Sequence, residues 1–175
     1  RGRLEDAIQV QMVSDVPLGA FLSGGIDSSC VVAFMAKHSA QPVRTYSIGF
    51  AGSSGAELYN ELPYARQVAE QFGTQHQEII VQPDVVSLLP KLLWHLDEPM
   101  ADAAFITTYL VSEFARRDVT VILSGVGGDE LFGGYRRYQD EFYRARYRKL
   151  PQWLRQTVLT PIARVEYSYP GGPIK

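Results

Sequence analysis

The sequence predicts an α/β fold, a doubly wound parallel sheet with helices on both faces. Short apolar runs alternate with helical stretches along most of the chain, the order that builds parallel sheets through helical crossovers. The predicted strands are apolar throughout rather than alternating, as strands covered on both faces should be. Glycine- and serine-rich turns stand at the ends of two of them, Ser23-Gly24-Gly25 and Ser124-Gly125-Val126-Gly127-Gly128.

Each element has a local reason. In residues 1–14, Leu4, Ile8 and Val10–Met12 recur at helical spacing and predict a lead-in helix. VPLGAFL, 16–22, reads as a buried strand running into a glycine turn. Residues 28–38 are apolar almost all round, as in a helix packed on a sheet. VRTYSIGF, 43–50, is β-branched and aromatic, a second strand. AGSSGAELYN, 51–60, reads as a loop. A helix is expected over 61–72, closed by Gly73 as a left-handed cap. HQEIIV, 76–81, is a third strand. Asp84 stands where an N-cap belongs, ahead of a helix over 84–96 with Val85, Leu88, Leu89, Leu92 and Leu93 on one face. Another helix fits 103–117, and VTVILS, 119–124, is a fourth strand leading into the second glycine cluster. The expected organisation is one domain over 1–150, followed by a truncated or diverged tail over 151–175. The chain opens on Arg1 rather than Met, which reads as a piece of something longer.

Composition narrows the function. The 175 residues are 46% hydrophobic and 21% charged, which excludes a disordered chain. The single cysteine, Cys30, excludes a disulfide framework and a multi-cysteine zinc site, and it fits a reducing compartment such as the cytoplasm. Cys30 itself reads as a small buried residue inside a helix. A net charge of −2 argues against a nucleic-acid-coating protein. No apolar run approaches the roughly 20 residues that span a bilayer, so no membrane partner is expected.

The strongest chemical signal is Ser23-Gly24-Gly25-Ile26-Asp27-Ser28-Ser29, after a strand and opening a helix. Ligands of open α/β sheets bind at the carboxyl ends of the strands. Glycines there let backbone approach an anion, and the helix N-terminus presents free N–H groups. Ser23, Ser28 and Ser29 add hydroxyls. The pattern suits phosphate, yet it is neither GxxxxGK[ST] nor GxGxxG. A carboxylate inside a phosphate cradle repels its ligand unless a cation intervenes, so Asp27 predicts Mg²⁺. The plain alternative is a strand-to-helix turn with Asp27 as an acid of the first helical turn.

SDVPLGAFLSGGIDSS resembles the pyrophosphate-binding loop of the asparagine synthetase family. The second cluster, Ser124-Gly125-Val126-Gly127-Gly128-Asp129-Glu130-Leu131-Phe132-Gly133-Gly134-Tyr135, resembles that family's second signature. Both fall in the family's order, each at a strand end, and the likeness covers about residues 1–140. It implies the adenine nucleotide alpha hydrolase-like fold of the N-type ATP pyrophosphatases. It also implies a ligase that cleaves ATP between the α and β phosphates, with a substrate carboxylate, aspartate or a relative, becoming an acyl-adenylate. Ammonia then displaces AMP to form an amide. In the family that ammonia comes from a glutaminase domain with an N-terminal cysteine nucleophile, a domain absent from these residues.

By the same resemblance Ser23, Gly24, Gly25 and Ser28 would hold the β and γ phosphates of ATP. Asp27 and Asp129 would hold Mg²⁺ and serve catalysis. Backbone at Leu22 and Ile48 would border the adenine and ribose, and Ser124 and Gly125 would close the pocket. The family typically carries a glutamate on the substrate side where this chain has Val126. Its essential lysine stands in a context that none of Lys37, Lys91, Lys149 and Lys175 reproduces.

Other residues admit two readings. Asp97, Glu98 and Asp102 form an acidic cluster that could face the nucleotide or could cap a helix. His38, His76 and His95 are scattered and suggest no metal site. Residues 135–149 carry six basic against two acidic side chains, interleaved with Tyr135, Tyr138, Phe142, Tyr143 and Tyr147. They read as a solvated amphipathic helix rather than an RNA contact. Two further functions share the first loop: a tRNA-modifying pyrophosphatase-loop enzyme, and a nucleotide-binding module without catalysis. The second signature speaks against the former, and intact Asp27 and Asp129 against the latter.

Overall fold

A computed structural model describes residues 2–51, 60–82, 84–96, 98, 100, 102 and 104–155. The chain forms two compact units, Arg1–Val126 and Gly127–Lys175. The first holds α1 (Gly2–Gln11), β1 (Leu18–Phe21), α2 (Ile26–His38), β2 (Arg44–Phe50), α3 (Leu62–Phe72), β3 (Gln75–Val81), α4 (Val85–His95), α5 (Ala104–Ala115) and β4 (Val121–Leu123). The second holds α6 (Gly128–Phe132), α7 (Arg136–Arg148) and α8 (Gln152–Leu154).

The four strands form one parallel sheet in the order β3-β2-β1-β4. The chain winds outward from β1 through β2 to β3, then returns to pair β4 on the other side of β1. That return makes the carboxyl ends of β1 and β4 the topological switch point of the sheet, where open α/β folds leave a crevice. Both glycine clusters follow those two strands.

Alternation along the strands builds two apolar layers. Ala20 and Leu22 face one way and pack with Val31, Val32 and Met35 of α2, Ala65 and Ala69 of α3, and Ile8 of α1. Tyr46, Phe21, Ile48 and Ile122 face the other way, against Val111, Phe114 and Ala115 of α5. Tyr46 is wholly buried, and Phe114 meets its ring edge-on with centroids 5.9 Å apart. Burying side chains of this size contributes about 1.5–3 kcal/mol each, so the two layers carry most of the stability. Burial also pushes the Tyr46 phenol up, and the nearby Asp118 carboxylate adds to the shift.

The element boundaries expected from sequence hold closely. Gly73 caps α3 at φ 61°, its N–H reaching the carbonyls of Ala69 and Glu70. Asp84 caps α4 by accepting from the Ser87 N–H. Three details differ. β3 is an edge strand whose Gln75, Gln77 and Ile80 are exposed, so only part of the sheet is covered on both faces. β4 pairs over three residues instead of six. Cys30 is only partly buried, because it lies on the flank of α2 rather than on its core face. Most of the expected loop over 51–60, and most of the tail after Pro151, lie outside the described residues.

α3 is fastened to the edge of the sheet. Arg66 grips the Glu78 carboxylate of β3 with two hydrogen bonds of 2.8 and 2.6 Å. His76 adds a third contact to Glu78 at 3.2 Å. The guanidinium holds the Glu78 carboxyl below the usual carboxylate range, against the opposing effect of partial burial. On the other flank, Glu5 of α1 takes Lys37 and His38 at the end of α2, and the Lys37 ammonium lowers its carboxyl. Among the described residues no helix is long and apolar enough to cross a membrane.

Candidate active site

The first loop leaves β1 under backbone control. The Leu22 N–H donates to the Tyr46 carbonyl at 2.9 Å, and the Ser47 hydroxyl donates to the Leu22 carbonyl. Pairing with β2 therefore runs one residue past the strand, and Leu22, 2% exposed, delivers Ser23 to the carboxyl edge of the sheet at a defined point. Both Leu22 backbone groups are engaged in this way, so at the site it acts as a wall. Ile48 lies on the α5 face of β2, packed in the second apolar layer.

From Ser23 the chain turns sharply. Gly24 sits at φ +81°, a conformation only glycine adopts freely. A Cβ there would stand 2.5 Å from the Tyr64 Cβ and 2.6 Å from the Ala65 nitrogen at the start of α3. Two hydroxyls then staple the loop. The Ser23 and Ser28 oxygens lie 2.9 Å apart, the Ser23 N–H donates to Ser28 Oγ at 3.2 Å, and the Gly25 N–H donates to Ser23 Oγ at 3.2 Å. Ser28 is buried, and its Oγ is also 3.2 Å from the Gly25 carbonyl, a further partner for its proton. Ser23 and Ser28 thus shape the turn before any ligand arrives.

α2 begins at this turn without a side-chain cap, since Gly25 offers no oxygen. The first-turn N–H groups point out of the helix start with no intrahelical partner, which favours an anion there. The Ser29 hydroxyl, in the same turn, is buried without a hydrogen-bond partner among the described residues. Asp27 is half-buried in this first turn, and no basic side chain among the described residues pairs with it.

The second cluster enters from β4. Ser124 Oγ accepts the Val126 N–H at 3.3 Å, forming a tight turn at the strand end. Gly125 then packs directly on the first loop. A Cβ on residue 125 would stand 2.6 Å from the Ser28 nitrogen and 2.9–3.0 Å from Asp27. Two glycine-bearing turns, far apart in sequence but following adjacent strands, pack backbone to backbone at the switch point. Ile26 and Val126, the immediate neighbours of Asp27 and Gly125, are 82% and 92% exposed.

Asp129 belongs to the second unit. There Gly127 at φ 98° and Gly133 at φ 70° bracket the short helix α6. The Tyr135 hydroxyl donates to Glu130 Oε1 at 2.7 Å, holding that carboxyl below its ordinary value and pushing the phenol up.

The donor set fits a nucleotide and a divalent cation. The loop supplies N–H groups and hydroxyls suited to phosphate, and Asp27 supplies a carboxylate that no basic side chain among the described residues pairs. No group of three metal-ligating side chains occurs among the described residues. Mg²⁺ asks for none, since one or two carboxylates with substrate phosphates suffice. The other acidic residues divide differently. Asp102 accepts the Ala104 N–H at 2.9 Å and caps α5, the helix-capping alternative. Asp97 lies outside the described residues. His38 and His76 are bound to Glu5 and Glu78 in structural clusters. α7 is exposed from Arg137 to Arg148, with Arg137 and Arg146 stacked on Tyr135 and Phe142, each 4.1 Å from the ring centroid.

Two features were not legible in the motifs. The start of α3 under Gly24 has no local signal that it approaches the loop. The Gly134-Tyr135 pair was visible as residue types but not as a contact to Asp129 and Glu130.

The sequence profile of the asparagine synthase family matches residues 1–168. A putative glutamine-hydrolysing asparagine synthetase of Methanocaldococcus jannaschii is 46% identical over 154 residues, 87% of this chain and 29% of that protein. Asparagine synthetase 1 of Bacillus subtilis is 39% identical over 160 residues, 91% of this chain and 24% of its own length. The chain thus spans about a quarter of the curated relatives it matches. Among solved structures, an NH3-dependent NAD synthetase from Campylobacter jejuni aligns over 77% of this chain and 58% of its own, at 18% identity and a TM-score of 0.49. With a family profile matched over nearly its whole length, this chain belongs to the asparagine synthase family.

Proposed function

We propose that this chain is the synthetase region of a cytoplasmic, glutamine-hydrolysing amide ligase of the asparagine synthetase type. It would activate a carboxylate with ATP, releasing AMP and pyrophosphate, for attack by ammonia from a glutaminase domain of the same enzyme. The observation that carries this reading is the interlock of Gly125 with Asp27 and Ser28, which joins the two signature turns at one end of the sheet.

In this reading the N–H groups of the Gly25–Ser28 turn, with the Ser23 and Ser28 hydroxyls, bind the β and γ phosphates along the first turn of α2. Gly24 and Gly125 act by lacking a Cβ, which keeps the backbone close and the cradle open. Leu22 and Ile48 wall the adenine and ribose, and Ser124 closes the opposite side. Asp27 and, by the family resemblance, Asp129 are each candidate Mg²⁺ ligands, and the ion would supply charge neutralisation for the departing pyrophosphate. The test is product analysis on the full-length enzyme. AMP and pyrophosphate are expected, and ADP with phosphate would overturn the reading.

The acceptor is the finer part of the proposal. A valine at 126 can neither bind an ammonium group nor accept a proton, as a glutamate can. Exposed Ile26 and Val126 beside the interlock favour a less zwitterionic carboxylate than aspartate. Losing one charge-assisted hydrogen bond costs about 1.5–3 kcal/mol, roughly 10- to 150-fold in affinity. Pyrophosphate release with ammonia across a panel of carboxylates decides the point. Aspartate giving the highest kcat/KM would return the enzyme to ordinary asparagine synthesis.

A further inference from the structure

β2 places a buried hydroxyl, that of Ser47, at the point where its pairing with β1 ends. The register of β2 with β3 is unbroken from Arg44 to Phe50. Just outside it the Val43 carbonyl accepts the Gln75 N–H at 2.8 Å, and the Ala51 N–H donates to the Val81 carbonyl at 2.9 Å. The N–H and carbonyl of one strand residue point to the same neighbour, and those of the next residue to the other. Thr45, Ser47 and Gly49 therefore turn their backbone groups to β3, whereas Tyr46 and Ile48 turn theirs to β1. The Tyr46 carbonyl accordingly accepts the Leu22 N–H at 2.9 Å. The next bond of a parallel ladder would run from the Ile48 N–H to the Leu22 carbonyl. The Ser47 hydroxyl donates to that carbonyl instead. Beyond Leu22 the chain turns away through Gly24 at φ +81°. The Ile48 N–H and carbonyl are left side by side at the carboxyl edge of the sheet, facing the space that β1 vacates. Among the described residues no turn or loop group pairs with either.

We infer that Ser47 is a positioning residue: by engaging the Leu22 carbonyl it keeps the Ile48 N–H free to donate to the base of the nucleotide. The inference rests on the proposed placement of adenine beside Leu22 and Ile48. A backbone N–H next to a carbonyl is a donor beside an acceptor. Adenine offers the complement, a ring nitrogen acceptor beside the N6 amino donor, with N1 on one edge and N7 on the other. Without the Ser47 hydroxyl the Leu22 carbonyl is a buried acceptor in ladder register with the Ile48 N–H. A buried carbonyl left without a donor is costly, so it takes the nearest one. The ladder then grows by one bond and the edge closes to the base.

The experiment compares the full-length enzyme with its Ser47→Ala variant. Calorimetry measures binding of ATP and of two analogues, with carbon in place of N1 or of N7. The wild type should bind one analogue about 10-fold more weakly than ATP, the loss of one hydrogen bond. In Ser47→Ala, ATP itself should bind about 10-fold more weakly, and the penalty for that analogue should vanish. A role of Ser47 in loop stability alone would weaken ATP and both analogues equally. Amide hydrogen exchange of the ligand-free proteins gives a second readout, and Ile48 should exchange more slowly in Ser47→Ala than in the wild type. Should Ser47→Ala not fold, Ser47→Cys, whose thiol is a weak donor, takes its place in the same comparison. An analogue penalty that persists in the variant, or an Ile48 amide that is not slowed, overturns the positioning role alone. Equal wild-type affinity for all three nucleotides overturns the base contact at Ile48 and this inference with it. A wild-type enzyme that does not bind ATP overturns the proposed function itself.

Discussion

In the first glycine cluster the contacts that matter come from far along the chain, whereas in the second they come from within a few residues. Gly24 is pressed against Tyr64 and Ala65, and Asp27 and Ser28 are pressed by Gly125. Asp129 and Glu130 are held by Gly133, Gly134 and Tyr135. The first loop is thus built into the core of the sheet, and its shape depends on the whole first unit. The second is organised by its own hydrogen bonds around a five-residue helix. A change at the packed positions of the first, Gly24 and Ser28, should therefore register as stability, whereas a change in the second should leave stability near wild type.

The largest expected effect is at Gly24. A methyl group there meets backbone atoms that cannot swing aside, at a positive φ that penalises any Cβ. Gly24→Ala should cost roughly 2–6 kcal/mol, summing backbone strain and overpacking. Gly134→Ala meets the tip of a side chain that can rotate, so its stability should move by less than about 1 kcal/mol. Urea unfolding of both variants tests the contrast, and equal losses would break it.

Next is Asp27, the half-buried carboxylate of the first loop and its proposed Mg²⁺ ligand. Asp27→Asn should leave the unfolding midpoint near wild type while weakening Mg-ATP binding about 10- to 150-fold. ATP binding by the wild type should fall comparably in EDTA. Calorimetry showing equal ATP affinity with and without Mg²⁺ would remove the metal from this loop.

A smaller effect is expected at the staple. Ser28→Ala leaves the part-buried Ser23 N–H without its acceptor, costing about 1–3 kcal/mol. Tyr135→Phe removes an exposed hydrogen bond and should change stability by no more than about 0.5 kcal/mol. A loss in Tyr135→Phe as large as in Ser28→Ala would mean that the second cluster also carries the fold.

A small, pH-dependent effect acts on the first loop through α3. Arg66, one residue past Ala65, fastens α3 to Glu78, and the pair is partly solvent-exposed. Glu78→Gln should cost less than about 1 kcal/mol at neutral pH. Because Arg66 depresses the Glu78 carboxyl, this contribution is complete above the unfolded-state value and is lost as pH falls through the lower folded-state value. The difference between Glu78→Gln and wild type should therefore shrink below about pH 4. A difference that stays constant from pH 7 to about pH 3 would assign it to packing instead.

Local signals in the sequence determined the elements. Alternation, helical spacing, Gly73 as a left-handed cap and Asp84 as an N-cap each depend on backbone bonds spanning a few residues, so they are readable in place. The glycine-rich turn into α2 was legible for the same reason, including its uncapped helix start. Tertiary structure alone decided that β3 is an edge strand, that Asp102 caps α5, and that the start of α3 lies under Gly24. It also decided that Gly125 meets Ser28. That contact needs β4 to pair with β1, and strand order is set by the packing of whole helices on the sheet. No residue near Gly125 in sequence records it, because the atoms it must avoid belong to a helix on the far side of β1's loop.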